Sequence, residues 1–106
     1  MTGTQPPTVR DDRSQGRFVF EKDGAVAELV YEVDPSRLFL IHTEVPEALR
    51  GQGVGGQLVT AAVGRAVDDG LTVVPWCPYA RRWLDRHPDV ADSVVVDWAT
   101  VPPSHP

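Results

Sequence analysis

The sequence predicts an α/β fold, a compact mixed β-sheet flanked by two main helices in the order β-β-β-α-β-α-β. Three observations carry that expectation. Apolar runs joined by an Asp23-Gly24 hairpin signal open the folded part. A glycine-rich corner, L-R-G-Q-G-V-G-G at 49–56, separates a further apolar run from a stretch with helical spacing. A second helical stretch begins near Pro78, a residue favoured in a first turn.

R-F-V-F-E (17–21) and A-V-A-E-L-V-Y-E-V (25–33) read as strands around the K-D-G turn, and D-P-S-R then turns the chain with Pro35 at the second position. L-F-L-I-H-T-E-V (38–45) is a third strand, apolar on both faces in its first half and therefore central. Pro46 ends it. From Val54 to about Asp69, Leu58, Val59, Ala62, Val63, Ala66 and Val67 recur at helical spacing, with Gln57, Thr60, Gly64 and Asp68 opposite and Gly70 as the stop. L-T-V-V-P-W (71–76) is a short buried strand. The second helix sets Tyr79, Ala80, Trp83 and Leu84 against Arg81, Arg82, Asp85 and Arg86, and Pro88 closes it. S-V-V-V-D-W (93–98) is the last strand. Residues 1–16, polar with a proline pair, read as a disordered arm; 17–98 form the domain, and 99–106 a flexible tail.

A chain of 106 residues makes one small domain. Its net charge of −5 argues against non-specific nucleic-acid binding, which needs cations to replace phosphate counterions, and against an anionic membrane surface. A lone cysteine, Cys77, excludes an internal disulfide framework and a cysteine-rich zinc site, and an unpaired thiol suits a reducing compartment. The first residues lack the apolar core of a signal peptide, so a cytoplasmic protein is expected. His42, Glu44, Cys77 and His87 show no metal-ligand spacing, and no metal is expected.

A strand, a glycine-rich turn and a helix form an arrangement suited to phosphate, because the first helical N–H groups lack internal partners and the helix dipole is positive there. Arg50 adds a cation. A Walker loop would need Gly-Lys followed by Ser or Thr, which is absent. Gly51, Gly53 and Gly56 meet the G-x-G-x-x-G spacing of a dinucleotide fingerprint. However, the position some twenty residues on, where an acidic residue belongs, lies in an apolar run around Trp76. R-G-Q-G-V-G resembles instead the Arg/Gln-x-x-Gly-x-Gly/Ala signature of the GCN5-related N-acetyltransferases. Together with H-T-E-V-P-E-A-L-R-G-Q-G-V-G-G-Q-L-V and P-W-C-P-Y-A-R-R-W-L-D-R-H-P-D-V, the chain over about 18–90 is similar to the short YjdJ-like acetyltransferases. The resemblance implies a GNAT-like fold and acetyl-coenzyme A as cosubstrate. Its pyrophosphate would lie on Arg50, Gly51, Gln52, Gly53, Val54, Gly55 and Gly56, and its thioester near the main chain of Val45.

Acetyl transfer needs a base for the amine, a donor for the oxyanion and a proton for the departing thiolate. Alternation predicts Leu38, Leu40, His42 and Glu44 on one strand face, and Phe39, Ile41, Thr43 and Val45 on the other. Glu44 resembles the position where many of these enzymes keep a catalytic carboxylate acting through water, and His42 could share that work. The plainer alternative is that Glu44 simply faces solvent at a strand end and His42 caps the sheet edge. Cys77 precedes Pro78 at the positive end of a helix dipole, which favours a thiolate. It could be a nucleophile, a proton donor or a small buried hydrophobe. His87 reads as a helix cap, and the three tryptophans as core or sheet-edge residues.

The chain departs from the family pattern twice. Larger relatives begin this helix with N-P-x-A and carry a tyrosine four residues beyond the alanine; here Cys77 replaces the asparagine and Leu84 the tyrosine, leaving Cys77 or Tyr79 as substitutes. The helices that follow the first strand in full-size relatives are replaced by K-D-G, so the acceptor site should be open, suited to a protein amine, a protein partner or a homodimer. The sequence thus predicts an N-acetyltransferase moving an acetyl group from acetyl-CoA to an amine. The alternatives are a non-catalytic CoA-binding module, acting as sensor or interaction domain, and a nucleotide-binding adaptor.

Overall fold

The computed structural model describes residues 8–102. Strand β1 (Arg10–Asp12) lies inside the stretch expected to be a disordered arm and pairs antiparallel with β2 (Arg17–Lys22), while residues 1–7 fall outside the described part. Its polar composition reflects an edge strand tied by charge. Asp11 accepts hydrogen bonds from the Tyr31 hydroxyl (2.6 Å) and from Arg65 Nη1 (3.2 Å), and the same Arg65 nitrogen donates to Tyr31 Oη (2.6 Å). The cluster joins the edge strand to the middle of the sheet and to a helix.

Strand β3 (Ala25–Val33) follows β2 through Asp23 and Gly24, whose φ values of 52° and 83° are the paired left-handed angles of the expected tight hairpin. Strand β4 (Arg37–Glu44) continues the antiparallel order, after a turn in which the Asp34 carboxylate accepts the N–H groups of Ser36 and Arg37. A short 3₁₀ turn at Glu47–Leu49 leads through the glycine corner into α1 (Val54–Asp69), then β5 (Thr72–Pro75), α2 (Pro78–Arg86) and α3 (Pro88–Ala91). The sheet order is β1-β2-β3-β4-β5, antiparallel except for the parallel β4–β5 pair made by the α1 crossover.

Helix α1 buries Leu58, Val59, Ala62, Val63 and Ala66 against Phe18, Phe20, Leu29, Leu38 and Leu40. Val67, expected on that stripe, is 51% exposed. Gly70 ends the helix in the left-handed conformation, as expected. Ala80 and Leu84 of α2 and Ala91 of α3 join the same cluster, so all three helices lie on one side of the sheet. Among the described residues no helix covers the other side.

Two expectations are corrected. S-V-V-V-D-W does not form a strand: only Val96 bridges Val73, in parallel, because the Asp97 carboxylate accepts the N–H groups of Ala99 and Thr100 and curls the chain away. The alternation of β4 also breaks. Val30 pairs with His42 and Tyr31 with Leu40, which leaves Ile41 as the extra residue of a β-bulge. Beyond it Thr43 opposes the core residue Leu29, while His42 and Glu44 oppose Val30 and Glu28. His42 and Glu44 therefore lie on the helix-free face, opposite to Leu38 and Leu40, because one extra residue reverses a period of two.

Burial first, and then the Asp11 carboxylate, push the Tyr31 phenol above its ordinary value of 10.0. The folded state thus favours the neutral phenol, and its contribution to stability holds below that ordinary value and is lost as pH rises through the raised one. In Tyr79→Phe protein, which retains one tyrosine, alkaline absorbance titration should show Tyr31 ionising late and together with unfolding. Asp11→Asn should move that step to lower pH; an unchanged midpoint would refute the cluster's role.

Candidate functional site

The glycines of the corner divide by physical role. Gly51 and Gly53 have φ of 80° and 74°, and a Cβ on either would meet nothing within 4 Å, so backbone conformation alone selects glycine there. Gly55 and Gly56 have ordinary helical angles but no room. A Cβ on Gly55 would run into the Tyr79 hydroxyl, and one on Gly56 would come 2.6 Å from Trp83 Nε1. These two glycines let α2 seat its aromatic side chains against the first turn of α1.

That first turn is open to a ligand. Gly53 is the N-cap and supplies no side-chain oxygen to the N–H groups that follow. Of the residues expected to bind the cofactor, Val45, Arg50, Gly51, Gly53, Val54 and Gly55 line one cleft of about 160 Å³, which Leu49 and Tyr79 complete. Gln52 does not line it. Its amide donates to Ala48 O (3.0 Å) and accepts from Lys22 Nζ (3.1 Å), bracing the loop to the β2–β3 hairpin. Arg50 Nε points back to Val45 O at 3.4 Å. Lys22 and Arg50 thus place two cations beside the positive end of α1, a field that favours an anion. Gly56 lines a wider trough of about 600 Å³ with Gln57, Thr60 and Trp83, and Gly53 lines both hollows. Lys22 carried no signal in the sequence, since only the folded chain brings it to the corner.

The end of β4 supplies the rest. Its parallel pairing with β5 stops at Leu40↔Pro75; Cys77 N–H then donates to Leu40 O (2.7 Å) and the chain departs into α2. Ile41–Glu44 is left paired with β3 on one side only. Cys77 is the N-cap of α2, 3% exposed, with Sγ 3.1 Å from Thr43 Oγ1. The sequence could not reveal that Thr43 partners the thiol, because the bulge that turns it inward leaves no mark on the alternation. His42 Nε2 stands 3.7 Å from Glu44 Oε1, with side chains 61% and 69% exposed. The candidate base and the thiol therefore flank the end of β4 from opposite faces.

Leu84, where the resemblance led to a missing tyrosine, is fully buried in the core, whereas the Tyr79 hydroxyl reaches the cleft. His87 caps α2 with Nδ1 2.7 Å from Trp83 O, and its ring stacks on Trp83 at 3.8 Å. Trp76 packs on Phe39 at 4.7 Å and donates to Thr100 O, at the sheet edge as expected. Among the described residues no group of three His, Cys, Asp or Glu side chains is placed to hold a metal ion, and no helix is long and apolar enough to cross a membrane.

The glycine roles make a paired prediction in one helix. Gly56→Ala should lower unfolding free energy by about 1–3 kcal/mol, because Trp83 must move to admit the methyl group. Gly64→Ala, which faces open space, should raise it by about 0.5–1 kcal/mol. Urea denaturation of both variants checks this, and equal shifts would contradict the close approach of α2.

Comparison with known proteins gives four matches that bear on the family. A family model described as GCN5-related N-acetyl-transferase matches residues 17–93. The chain is 34% identical over 86 residues to Protein NATD1 of Gallus gallus, covering 78% of each protein. Protein NATD1 of Homo sapiens matches with the same identity and length, covering 78% of this chain and 76% of that one. The NMR solution structure of a GCN5-like protein from Staphylococcus aureus shares the fold with a TM-score of 0.65 and 28% identity, over 86% of this chain and 90% of that one. With its mixed sheet, its glycine corner and a family model that spans most of its length, this chain belongs to the GCN5-related N-acetyl-transferase family.

Proposed function

We propose that the protein is an N-acetyltransferase that moves an acetyl group from acetyl-CoA to an amine. The observation that carries this reading is the placement of two kinds of proton-handling group on opposite faces of one strand end. Glu44 and His42 lie on the open face, and Cys77 is buried on the helix side beside Thr43. Acyl transfer to an amine needs such a division, since the amine loses a proton where it enters and the thiolate gains one where it leaves.

The pyrophosphate of the cosubstrate suits the 160 Å³ cleft, where uncapped helical N–H groups and Arg50 border a space at the helix N-terminus, with Lys22 held to the same loop through Gln52. The adjoining trough beside Trp83 leaves room for the remainder of a large ligand. Glu44, through water and with His42 beside it, takes the proton of the entering ammonium. The freed nitrogen attacks the thioester carbonyl carbon, the N–C bond forms, the nitrogen releases its second proton to solvent and the C–S bond breaks. Cys77 supplies the proton that the departing thiolate needs and regains one from solvent. Its 3% exposure favours this role over a nucleophile's, because an acetyl-cysteine would have to be reached by the acceptor at a buried sulfur.

A second reading, a non-catalytic module that binds CoA, is favoured by the burial of Leu84, which removes the family's usual proton donor from the site.

Turnover and binding separate the two. Cys77→Ala and Glu44→Gln should each lower acetyl-CoA-dependent amine acetylation by about 10²-fold, the scale of a lost general acid or base, while affinity for CoA holds. Gly53→Val, which forces a branched side chain into a left-handed position, should abolish CoA binding. CoA binding without thiol release from acetyl-CoA, across a panel of amines and lysine peptides, would establish the second reading. An acetyl adduct on Cys77, seen by intact-protein mass, would make the thiol a nucleophile instead.

A further inference from the structure

No helix covers the sheet face turned away from the core among the described residues; Trp76 packs on Phe39 and closes its β5 edge, while the β3–β4 part stays open and is not uniformly polar. Val30 and Phe39 are partly buried there and Val26 is 41% exposed, with the carboxylates of Glu28, Glu32 and Glu44 among them. The register sets Glu28 directly across from Glu44, an arrangement of like charges that destabilises a strand pair. Arg17 Nη1 answers Glu28 at 2.8 Å, and among the described residues His42 is the one basic side chain paired with Glu44. No ion pair reaches Glu32 among the described residues. Arg37, at the far end, is held by Asp34 at 3.0 Å and lies over Phe39. On the β1–β2 half, Arg10 and Arg17 answer Asp12 and Glu21. The unbalanced negative charge is therefore confined to the β3–β4 half, where the transfer site opens.

We propose that this half-face docks the acceptor, and that its occupant is a basic, extended polypeptide segment presenting a lysine amine to Glu44. The proposal rests on the acyl-transfer reading above. The surface is continuous with the site, since His42 and Glu44 belong to both. A small amine would need enclosing walls, whereas a flat face of strands suits a segment that spreads its contacts. Charge also sets a spacing. Glu28 and Glu32 stand four residues apart on β3, roughly 13 Å along the strand. An extended partner whose lysine lies over the Glu28–Glu44 pair therefore brings the side chain four positions away to Glu32. The preferred acceptor is Lys-x-x-x-Lys or Lys-x-x-x-Arg, not an isolated lysine.

The test compares a Lys-x-x-x-Arg peptide with its Lys-x-x-x-Ala counterpart and with a free polyamine, using the full chain. Acetylation kinetics are measured with acetyl-CoA, and peptide binding is titrated both with and without CoA. The Arg peptide should show the lower KM at similar kcat, with an advantage that shrinks as salt is raised. Glu32→Gln should remove roughly two- to five-fold of that advantage, the worth of an exposed ion pair, and Glu32→Lys should reverse it. Neither variant should change KM for acetyl-CoA or for the Ala peptide. Equal KM values for the two peptides, a polyamine preferred over both, or indifference to Glu32 would each overturn the proposal. Failure to bind acetyl-CoA would overturn the acyl-transfer reading instead, and the peptide titration without CoA would still decide this one.

Discussion

The arrangement of the site depends on one unpaired residue. Ile41 is the extra member of a bulge in β4, and everything beyond it points the opposite way from what an unbroken strand would give. Without the bulge, Thr43 would turn away from Cys77, and His42 and Glu44 would point into the helix layer. With it, a hydroxyl enters the core beside the thiol and a carboxylate emerges on the open face. Bulges bend strands and re-aim side chains at the cost of one ladder position. Here that position lies one residue beyond the last β4–β5 pair, so the strand changes phase where it also loses its neighbour.

A second constraint joins the loop to the helices. α2 approaches α1 closely enough that only glycine fits at 55 and 56, and its own start is fixed by the Cys77 N–H bond to Leu40 O. The same few residues thus set the width of the cleft, the position of the thiol and the end of the β4–β5 pairing. A change in any of them displaces the others, because a packed helix pair has few alternative arrangements.

Much of this was legible in the sequence, for reasons that differ by element. The Asp23-Gly24 hairpin, the Gly70 stop and the α1 stripe are local, and each follows from the conformational preferences of a few neighbouring residues. The glycine corner was legible as a motif. Its four glycines look alike on paper, yet two answer to backbone angles and two to Tyr79 and Trp83, which are distant in sequence. The bulge was not legible, because L-F-L-I-H-T-E reads as a strand whether or not Ile41 is skipped, and no residue in it marks where the alternation reverses. Strand β1 was hidden by its polarity, which Asp11, Tyr31 and Arg65 explain only once they meet. S-V-V-V-D-W misled in the other direction: its β-branched residues suit a strand, but the Asp97 side chain captured the backbone that a ladder would have used.

The uncapped start of α1 carries a thermodynamic consequence. Left-handed glycines at 51 and 53 and a helix without a side-chain cap make this corner costly to order. A ligand that satisfies those N–H groups binds the native chain and not the unfolded one, so occupancy and folding are linked through mass action. Resistance to unfolding becomes a logarithmic gauge of free ligand concentration, with the glycine corner as its sensing element.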